Sequence, residues 1–199
     1  GERVAKFRMK GVYENIGKTD SLSVTFNLLA KDENIWDLYG TRTRVQMQKA
    51  CPFELSTFEG YCLLTSSFFS AYMTNTEHRL LQAERDKAED NTIILHDFFY
   101  KNYDLKIKYD PSDPLKPFVE FDEQIIGSTA EAFGTIYGNG KLMCDQPVAY
   151  DSYYNVCQKF VILYTTIYVV GKGTVGTYVN ILEWISDEEA EQYKKEEGL

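Results

Sequence analysis

The strongest hydrophobic pattern in the chain is a pair of apolar runs near its C-terminal end. Residues 160–170 read FVILYTTIYVV, residues 174–185 read TVGTYVNILEWI, and Gly171-Lys172-Gly173 separates them. Runs rich in β-branched and aromatic residues on either side of a glycine-flanked turn are typical of a β-hairpin. Neither face of the first run carries a charge, so we expect this strand to be covered on both sides.

Three alternating runs in the first part of the chain predict further strands. Residues 4–13, 21–30 and 39–49 each alternate apolar with polar side chains. A period of two residues indicates strands that expose one face to water. Because short connections join the three runs, we expect an antiparallel meander here.

The middle of the chain has a mixed pattern. Residues 53–73 suit either a short helix or two strands, and we favour two strands, the second over residues 66–74. Residues 76–89 read TEHRLLQAERDKAE. Good helix formers dominate this segment and Thr76 is a suitable N-cap, so it predicts a polar surface helix.

Three later segments are also interpreted as β structure. Residues 92–109 predict one long strand or two, and residues 118–121 predict a short strand. Within residues 129–144, Asn139-Gly140 supplies the positive φ angles that a tight hairpin turn requires.

Together these segments predict a mainly β fold, an antiparallel β-barrel or sandwich that is calyx-like, with one surface helix and a C-terminal helix. The mostly up-and-down strand order favours a closed barrel, whose narrow lumen is filled by side chains or holds one small ligand. We expect a single β domain over residues 1–185. Residues 186–199 begin with Ser186 as an N-cap, followed by acidic residues, and predict a terminal helix or a solvated tail.

Composition and charge restrict the class of partner. The 199 residues include 15 Tyr and 12 Phe, and the net charge is −9 at pH 7. An acidic chain lacks the dense Lys/Arg surface that binds phosphate backbones, so we expect no nucleic-acid partner. The acidic surface is either simply solvated or a docking face for a basic protein.

The chain also contains no run of about 18 to 20 apolar residues, so we expect no transmembrane segment. The start at Gly1 rather than Met fits a processed N-terminus. We therefore favour a secreted or organellar (lumenal) location over the cytosol.

The four cysteines, Cys51, Cys62, Cys144 and Cys157, fall into two pairs along the sequence. This spacing favours two short-range disulfides, although four cysteines allow three pairings in all. The alternative is four reduced, buried thiols that behave as small apolar side chains.

Candidate chemistry is sparse. His78 and His96 have no partner at the spacing of a metal site, so we expect no metal and no cofactor. The sequence has no nucleophile elbow and no phosphate-binding loop. Acidic pairs beside turns are interpreted as solvated, and Glu120, between apolar neighbours, is the better candidate acid, pointing either into the barrel or out of it.

Aromatic clusters are the remaining candidates for function. Tyrosine combines a large apolar area with a hydrogen-bonding tip and is enriched at interfaces, although such clusters also occur as ordinary sheet core. The residues predicted to contact a ligand or partner are Phe98, Tyr100, Tyr103, Tyr150, Tyr153 and Tyr154.

These observations favour a non-enzymatic protein over an enzyme. The first hypothesis is an accessory or interaction subunit of a larger protein assembly, docking through apolar and Tyr-rich β surfaces onto other protein subunits. The alternative is a calyx-like carrier of a small hydrophobic ligand, such as a lipid or a pigment. The second alternative is an isomerase or cyclase built in a barrel.

Overall fold

A computed structural model of the chain describes residues 21–27, 42–48, 51–73, 76–114 and 116–197. The chain divides into two compact units, residues 1–51 and residues 52–199. The expectation of a single β domain over residues 1–185 therefore stays a prediction.

The first unit contains an antiparallel pair of strands. β1 (Ser21–Asn27) pairs with β2 (Arg42–Gln48) in a register that places Val24 opposite Val45. Both strands lie within the second and third runs that alternation predicted. The first predicted strand, residues 4–13, lies outside the described residues.

The second unit is a closed antiparallel β-barrel of eight strands with an attached strand pair. In chain order the strands are β3 (Gly60–Ser66), β4 (His78–Arg85), β5 (Thr92–Leu95), β6 (Leu105–Asp110), β7 (Phe118–Glu120), β8 (Gln124–Ser128), β9 (Lys141–Asp145), β10 (Tyr153–Asn155), β11 (Phe160–Val169) and β12 (Gly173–Ile185). Around the barrel the order is β3, β4, β5, β6, β7, β10, β11 and β12, and β12 pairs with β3. β8 and β9 pair with each other, and β9 continues onto β11. The predicted antiparallel barrel is confirmed.

The short strand β10 closes the barrel. On one side Tyr153 pairs with Phe118 of β7, and on the other side β10 pairs with the first residues of β11. Beside this pairing, the Tyr164 N–H donates to the hydroxyl of buried Ser152 at 3.0 Å. The Val119 N–H donates to the Ser152 carbonyl at 3.0 Å. Ser152 thus joins β7 to β11 through its own backbone and side chain.

Alternating side chains fill the barrel interior. Along β11 every second residue is buried inside the barrel, and the residues between them lie half-buried on the outer face. The predicted hairpin of β11 and β12 is confirmed. The outer face of β11, however, is covered less completely than its charge-free sequence predicts.

Aromatic rings occupy both ends of the barrel. At the end where β3 begins, the Phe58 ring lies 4.6 Å from the Tyr109 ring and meets Trp184 edge-on at 5.1 Å between centroids. At the opposite end, Phe68 stacks on Phe99 at 4.7 Å. Since these five rings are buried or nearly so, side chains close the barrel at each end.

The helical elements are a 3-10 helix (Leu55–Phe58), α1 (Ser67–Tyr72), α2 (Thr129–Phe133) and α3 (Asp187–Glu197). α3 confirms the predicted C-terminal helix. Ser186 caps it, because the Ser186 hydroxyl accepts the Glu189 N–H at 3.3 Å while the Glu189 carboxylate accepts the Ser186 N–H at 2.8 Å. Ala190 is fully buried, and the Tyr193 hydroxyl donates to the His78 carbonyl at 3.2 Å, so α3 packs on the barrel.

The predicted surface helix over residues 76–89 is wrong, because β4 occupies most of that segment. β4 pairs along one edge with β3 and along the other with β5. Leu81 and Ala83 alternate into the core, while Gln82 between them is exposed. Strand pairing along both edges outweighs the intrinsic helix propensities of these residues. Each of these propensities differs from that of alanine by at most about 0.7 kcal/mol.

The strand predicted over residues 66–74 is also wrong, because α1 forms there. The Ser66 hydroxyl accepts the Phe68 N–H at 3.1 Å and so caps this helix. Phe68 and Phe69 are the buried residues of α1, so the apolar residues directly after β3 pack a helix against the core. Residues 92–109 form two separate strands, β5 and β6, as one of the two alternatives predicted.

We expect the Ser152→Ala variant to be less stable than the wild type by about 1–3 kcal/mol, because the Tyr164 N–H loses its acceptor at the barrel seam. Equilibrium unfolding in urea measures this difference. Ser70→Ala is the matched control, since the exposed Ser70 hydroxyl donates to the Ser67 carbonyl within α1, away from the barrel seam. Equal unfolding free energies for the two variants would contradict the role of Ser152 in closure.

Candidate interaction surface

The outer face of β10, β11 and β12 and the segment before β10 carry an apolar and aromatic surface, which we call the tyrosine wall. Its residues are Tyr150, Tyr153, Phe160, Ile162, Tyr164, Val179 and Ile181. Antiparallel pairing places Tyr153 beside Ile162 and Ile162 beside Ile181, so these three form a row across three strands. The alternate residues of β11 point into the barrel, so the residues of the wall point outward.

Ring contacts join the tyrosines of the wall. Tyr150 stacks on Tyr164 with 5.0 Å between centroids, and Tyr153 meets Phe160 edge-on at 6.3 Å. Tyr150 is 53% exposed and Tyr153 is 41% exposed. Contacts with neighbouring rings therefore hold Tyr150 and Tyr153 in place, while a large part of each of these two side chains faces solvent.

Charged residues of both signs lie beside the tyrosine wall, and exposed Lys159 directly precedes Phe160. None of its seven residues is charged. Exposed Asp151 follows Tyr150, and exposed Glu183 lies opposite Phe160 on β12. The surface thus has an apolar centre and a charged edge with two acidic residues and one basic residue.

Polar contacts limit the wall toward the C-terminal end of β11. The Thr166 and Thr177 hydroxyls are hydrogen-bonded at 3.0 Å, and the Tyr168 hydroxyl donates to the Glu123 carboxylate. This hydrogen bond to Glu123 is the main reason that the pKa of Tyr168 is raised to about 12.

Of the six aromatic residues predicted as contacts, the structure brings Tyr150 and Tyr153 together at this surface. The other four lie in the core or pack against it: Phe98, Tyr100 and Tyr154 are buried, and Tyr103 is half-buried. Contact with a partner stays a prediction. Tyr150 and Tyr153 are exposed enough to make such a contact. Phe160, Ile162 and Tyr164 were not among the predicted contact residues. The absence of charge from residues 160–170 was the sequence feature that indicated an apolar outer face there.

The predicted pair of short-range disulfides is wrong. Cys51 and Cys157 are disulfide-bonded, while Cys62 and Cys144 are free and buried. The barrel brings the turn between β10 and β11, which holds Cys157, to the end where β3 begins. Burial raises the pKa of the Cys144 thiol to about 12 and also raises the pKa of Cys62 strongly.

The residues with candidate chemistry lie apart from one another. Glu120 is exposed while Val119 beside it is buried, so Glu120 points out of the barrel. His78 Nδ1 lies 2.7 Å from the Thr65 hydroxyl, and His96 lies between Asp104 at 3.0 Å and Glu84 at 3.5 Å. Within the described ranges, no group of three or more His, Cys, Asp or Glu side chains is arranged to hold a metal ion.

Comparison with known proteins places the chain in a family. Residues 38–196, most of the chain, match the family model described as a domain of unknown function, DUF4984. The chain belongs to the DUF4984 family. No curated protein and no solved structure matches this DUF4984 chain significantly. In the described part of the DUF4984 chain, no helix has the length and apolar character needed to cross a membrane.

We expect the stability of this DUF4984 protein to fall as the pH rises from about 10 to about 12. The pKa values of Tyr100 and Tyr178, mainly through burial, and of Tyr168, mainly through its bond to Glu123, are each raised to about 12. A raised pKa stabilises the fold fully below the unfolded-state value near 10 and loses this effect as the folded-state value is passed.

Urea unfolding across this pH interval, with phenolate absorbance recorded in parallel, measures the effect. Tyr168→Phe removes one of the groups with a raised pKa, so the dependence of stability on pH should become shallower. A stability that does not change between pH 10 and 12 would contradict these pKa assignments.

We also expect thiol reagents to separate the four cysteines into two classes. The native protein should react slowly, because Cys62 and Cys144 are buried and their pKa values are raised. Unfolding without reductant should expose these two thiols, and unfolding with reductant should expose all four. Mass spectrometry of the labelled peptides identifies the sites, and label on Cys51 or Cys157 before reduction would contradict the disulfide-bonded state of these two residues.

Proposed function

We propose that this DUF4984 protein is a non-enzymatic accessory subunit that docks onto a partner protein through the tyrosine wall. The observation that carries this proposal is the row of Tyr153, Ile162 and Ile181 across three strands, flanked by the stacked rings of Tyr150 and Tyr164. Aromatic side chains at the centre of a contact contribute much of the free energy of protein association. Because the wall is uncharged, docking on it leaves no buried charge of this chain without a partner.

The charges around the wall indicate the chemistry of the partner. Asp151 and Glu183 outnumber Lys159 among the exposed charges at its edge, and the whole chain carries a net charge of −9. Charge complementarity speeds encounter and selects among partners more than it strengthens the final complex. We therefore expect a folded protein with an apolar patch and basic residues around it.

The packing of the barrel interior supports docking over a calyx-like carrier. A carrier requires a cavity large enough for its ligand, typically several hundred Å³. Here the inward positions of β11 hold fully buried side chains such as Val161 and Leu163, and aromatic clusters close both ends. The second alternative, a barrel isomerase or cyclase, loses support because Glu120 points away from the interior.

The experiment that tests the proposal is site-specific photo-crosslinking in the cells that produce the full-length protein. A crosslinking phenylalanine analogue is placed at position 164, within the wall, or at position 108, where exposed Lys108 lies on the outer face of β6. We expect position 164 to link to one discrete protein of another sequence and position 108 to give no such product. Products only with a second copy of this chain, or equal products from both positions, would overturn the proposal.

With that partner purified, we expect Tyr150→Ser and Tyr153→Ser each to weaken binding about tenfold or more, because each removes ring area from the centre of the contact. Isothermal titration calorimetry measures the affinities. Tyr137→Ser is the matched control, since Tyr137 is 50% exposed, much like Tyr150, but lies outside the wall. Equal affinities for all three variants would contradict docking through the tyrosine wall.

A further inference from the structure

A cleft at the barrel end that holds α1 shares no residue with the tyrosine wall. Its lining includes Tyr72, Phe133, Tyr137, Lys172 and Val175, and its volume is about 500 Å³. Pockets that bind small ligands commonly measure roughly 300–1,000 Å³ and combine apolar walls with few polar groups. The cleft therefore has the size and the lining of a site for a small molecule.

Three aromatic rings form the apolar part of the cleft. Tyr72 meets Phe133 edge-on at 5.5 Å, and behind it Tyr72 stacks on the buried ring of Phe68 at 4.9 Å. The Tyr72 hydroxyl is also hydrogen-bonded to Tyr178. Tyr137 is 50% exposed. The Tyr72 ring is thus held in place from behind, and the Tyr137 ring is half exposed to solvent.

Lys172 adds one positive charge beside these rings. Its ammonium nitrogen lies 5.4 Å from the centre of the Tyr137 ring. Across the described segments no carboxylate forms an ion pair with Lys172. By contrast, Lys106, in a polar cleft near Glu120, is already paired with Asp86. The ammonium of Lys172 is therefore available to an anionic group on a ligand.

Two local features of the backbone shape the cleft. A shift in the register between β11 and β12 leaves Val175 without a partner on β11, and Val175 lines the cleft. Such bulges often re-aim side chains next to functional sites. At Gly138, φ is +60° and an added Cβ would lie 2.6 Å from the Val169 side chain, so glycine lets the segment before β9 pack closely against the turn after β11.

We propose that this cleft binds a small ring-shaped ligand that carries a carboxylate, with its ring against Tyr137 and Phe133 and its carboxylate on the Lys172 ammonium. A uronic acid and an aromatic carboxylate share this chemistry. Thr135 and Thr174 also line the cleft, and their hydroxyls can bond to ring substituents. The proposal does not depend on the tyrosine wall, so either can fail without the other.

The test is a titration of the isotope-labelled full chain, followed by NMR through its backbone amides. The probes are glucuronate and benzoate, with glucose and benzyl alcohol as their neutral counterparts. We expect at least one carboxylate to bind about tenfold or more tightly than its neutral counterpart, and to shift the amides of Tyr137, Gly173 and Thr174. Binding of glucuronate assigns the site to saccharides, and binding of benzoate assigns it to aromatic acids.

Three variants at exposed positions complete the test. Lys172→Met should weaken binding of the carboxylate about tenfold while leaving its neutral counterpart unchanged. Tyr137→Ser should weaken both, and Lys108→Met, which removes an exposed lysine from the outer face of β6, should weaken neither. The proposal is overturned if neither carboxylate shifts the amides of the cleft, if the shifts lie elsewhere, or if Lys172→Met binds the carboxylate as tightly as the wild type.

Discussion

Closure of the barrel rests on β10, a strand of only three residues that joins β7 to β11. Without it, β7 and β11 would each present an open edge of unpaired backbone groups. Side chains satisfy backbone groups where the short strands end. The Ser152 hydroxyl accepts the Tyr164 N–H, and the Gln124 amide bonds both the N–H and the carbonyl of Lys106 at 2.9 Å. The ring is therefore completed by side-chain hydrogen bonds as well as by strand pairing.

The same closure separates structural from accessible aromatic residues. Tyr153 and Tyr154 are neighbours on β10, yet Tyr153 is 41% exposed and Tyr154 is 3% exposed. Tyr154 packs edge-on against Phe58 and its hydroxyl donates to the Asp110 carbonyl, whereas Tyr153 faces outward in the row with Ile162. Alternation along a strand gives these two chemically identical side chains opposite roles. One stabilises the end of the barrel, and the other is available for a contact.

Sequence reasoning succeeded where local signals and tertiary pairing agree. The β11–β12 hairpin has β-forming residues and a glycine-flanked turn, and α3 has a Ser186 cap with acidic residues after it. It failed for residues 76–89, where helix formers are held in a strand by two neighbours that no local pattern reveals. The cysteines were misassigned for the same reason, since spacing along the sequence paired disulfide-bonded Cys51 and Cys157 each with a nearer cysteine that is free.

Two of the six residues that the sequence singled out as contacts lie on the exposed surface of the candidate site. Tyr150 and Tyr153 are exposed, while Phe98 and Tyr100 stand in an equally aromatic segment and are buried. Aromatic content alone does not distinguish these cases, because the outcome depends on which side of a strand or turn the barrel places each ring. The partners of the two tyrosines in the wall come from β11 and β12, whose register is a property of the closed sheet.

A polar contact inside the barrel supports that register. Ser66 on β3 donates to the Asn180 side chain at 2.6 Å, and Asn180 on β12 donates to the Leu163 carbonyl at 2.9 Å and to the Thr165 hydroxyl at 3.0 Å. Displacing β12 along either neighbour would leave these buried groups without partners, at a cost of about 1–3 kcal/mol for each. Because Asn180 points inward, Val179 and Ile181 must point outward beside Tyr164 and Ile162. The arrangement of the tyrosine wall is thus determined in part by hydrogen bonds on the opposite face of the same strands.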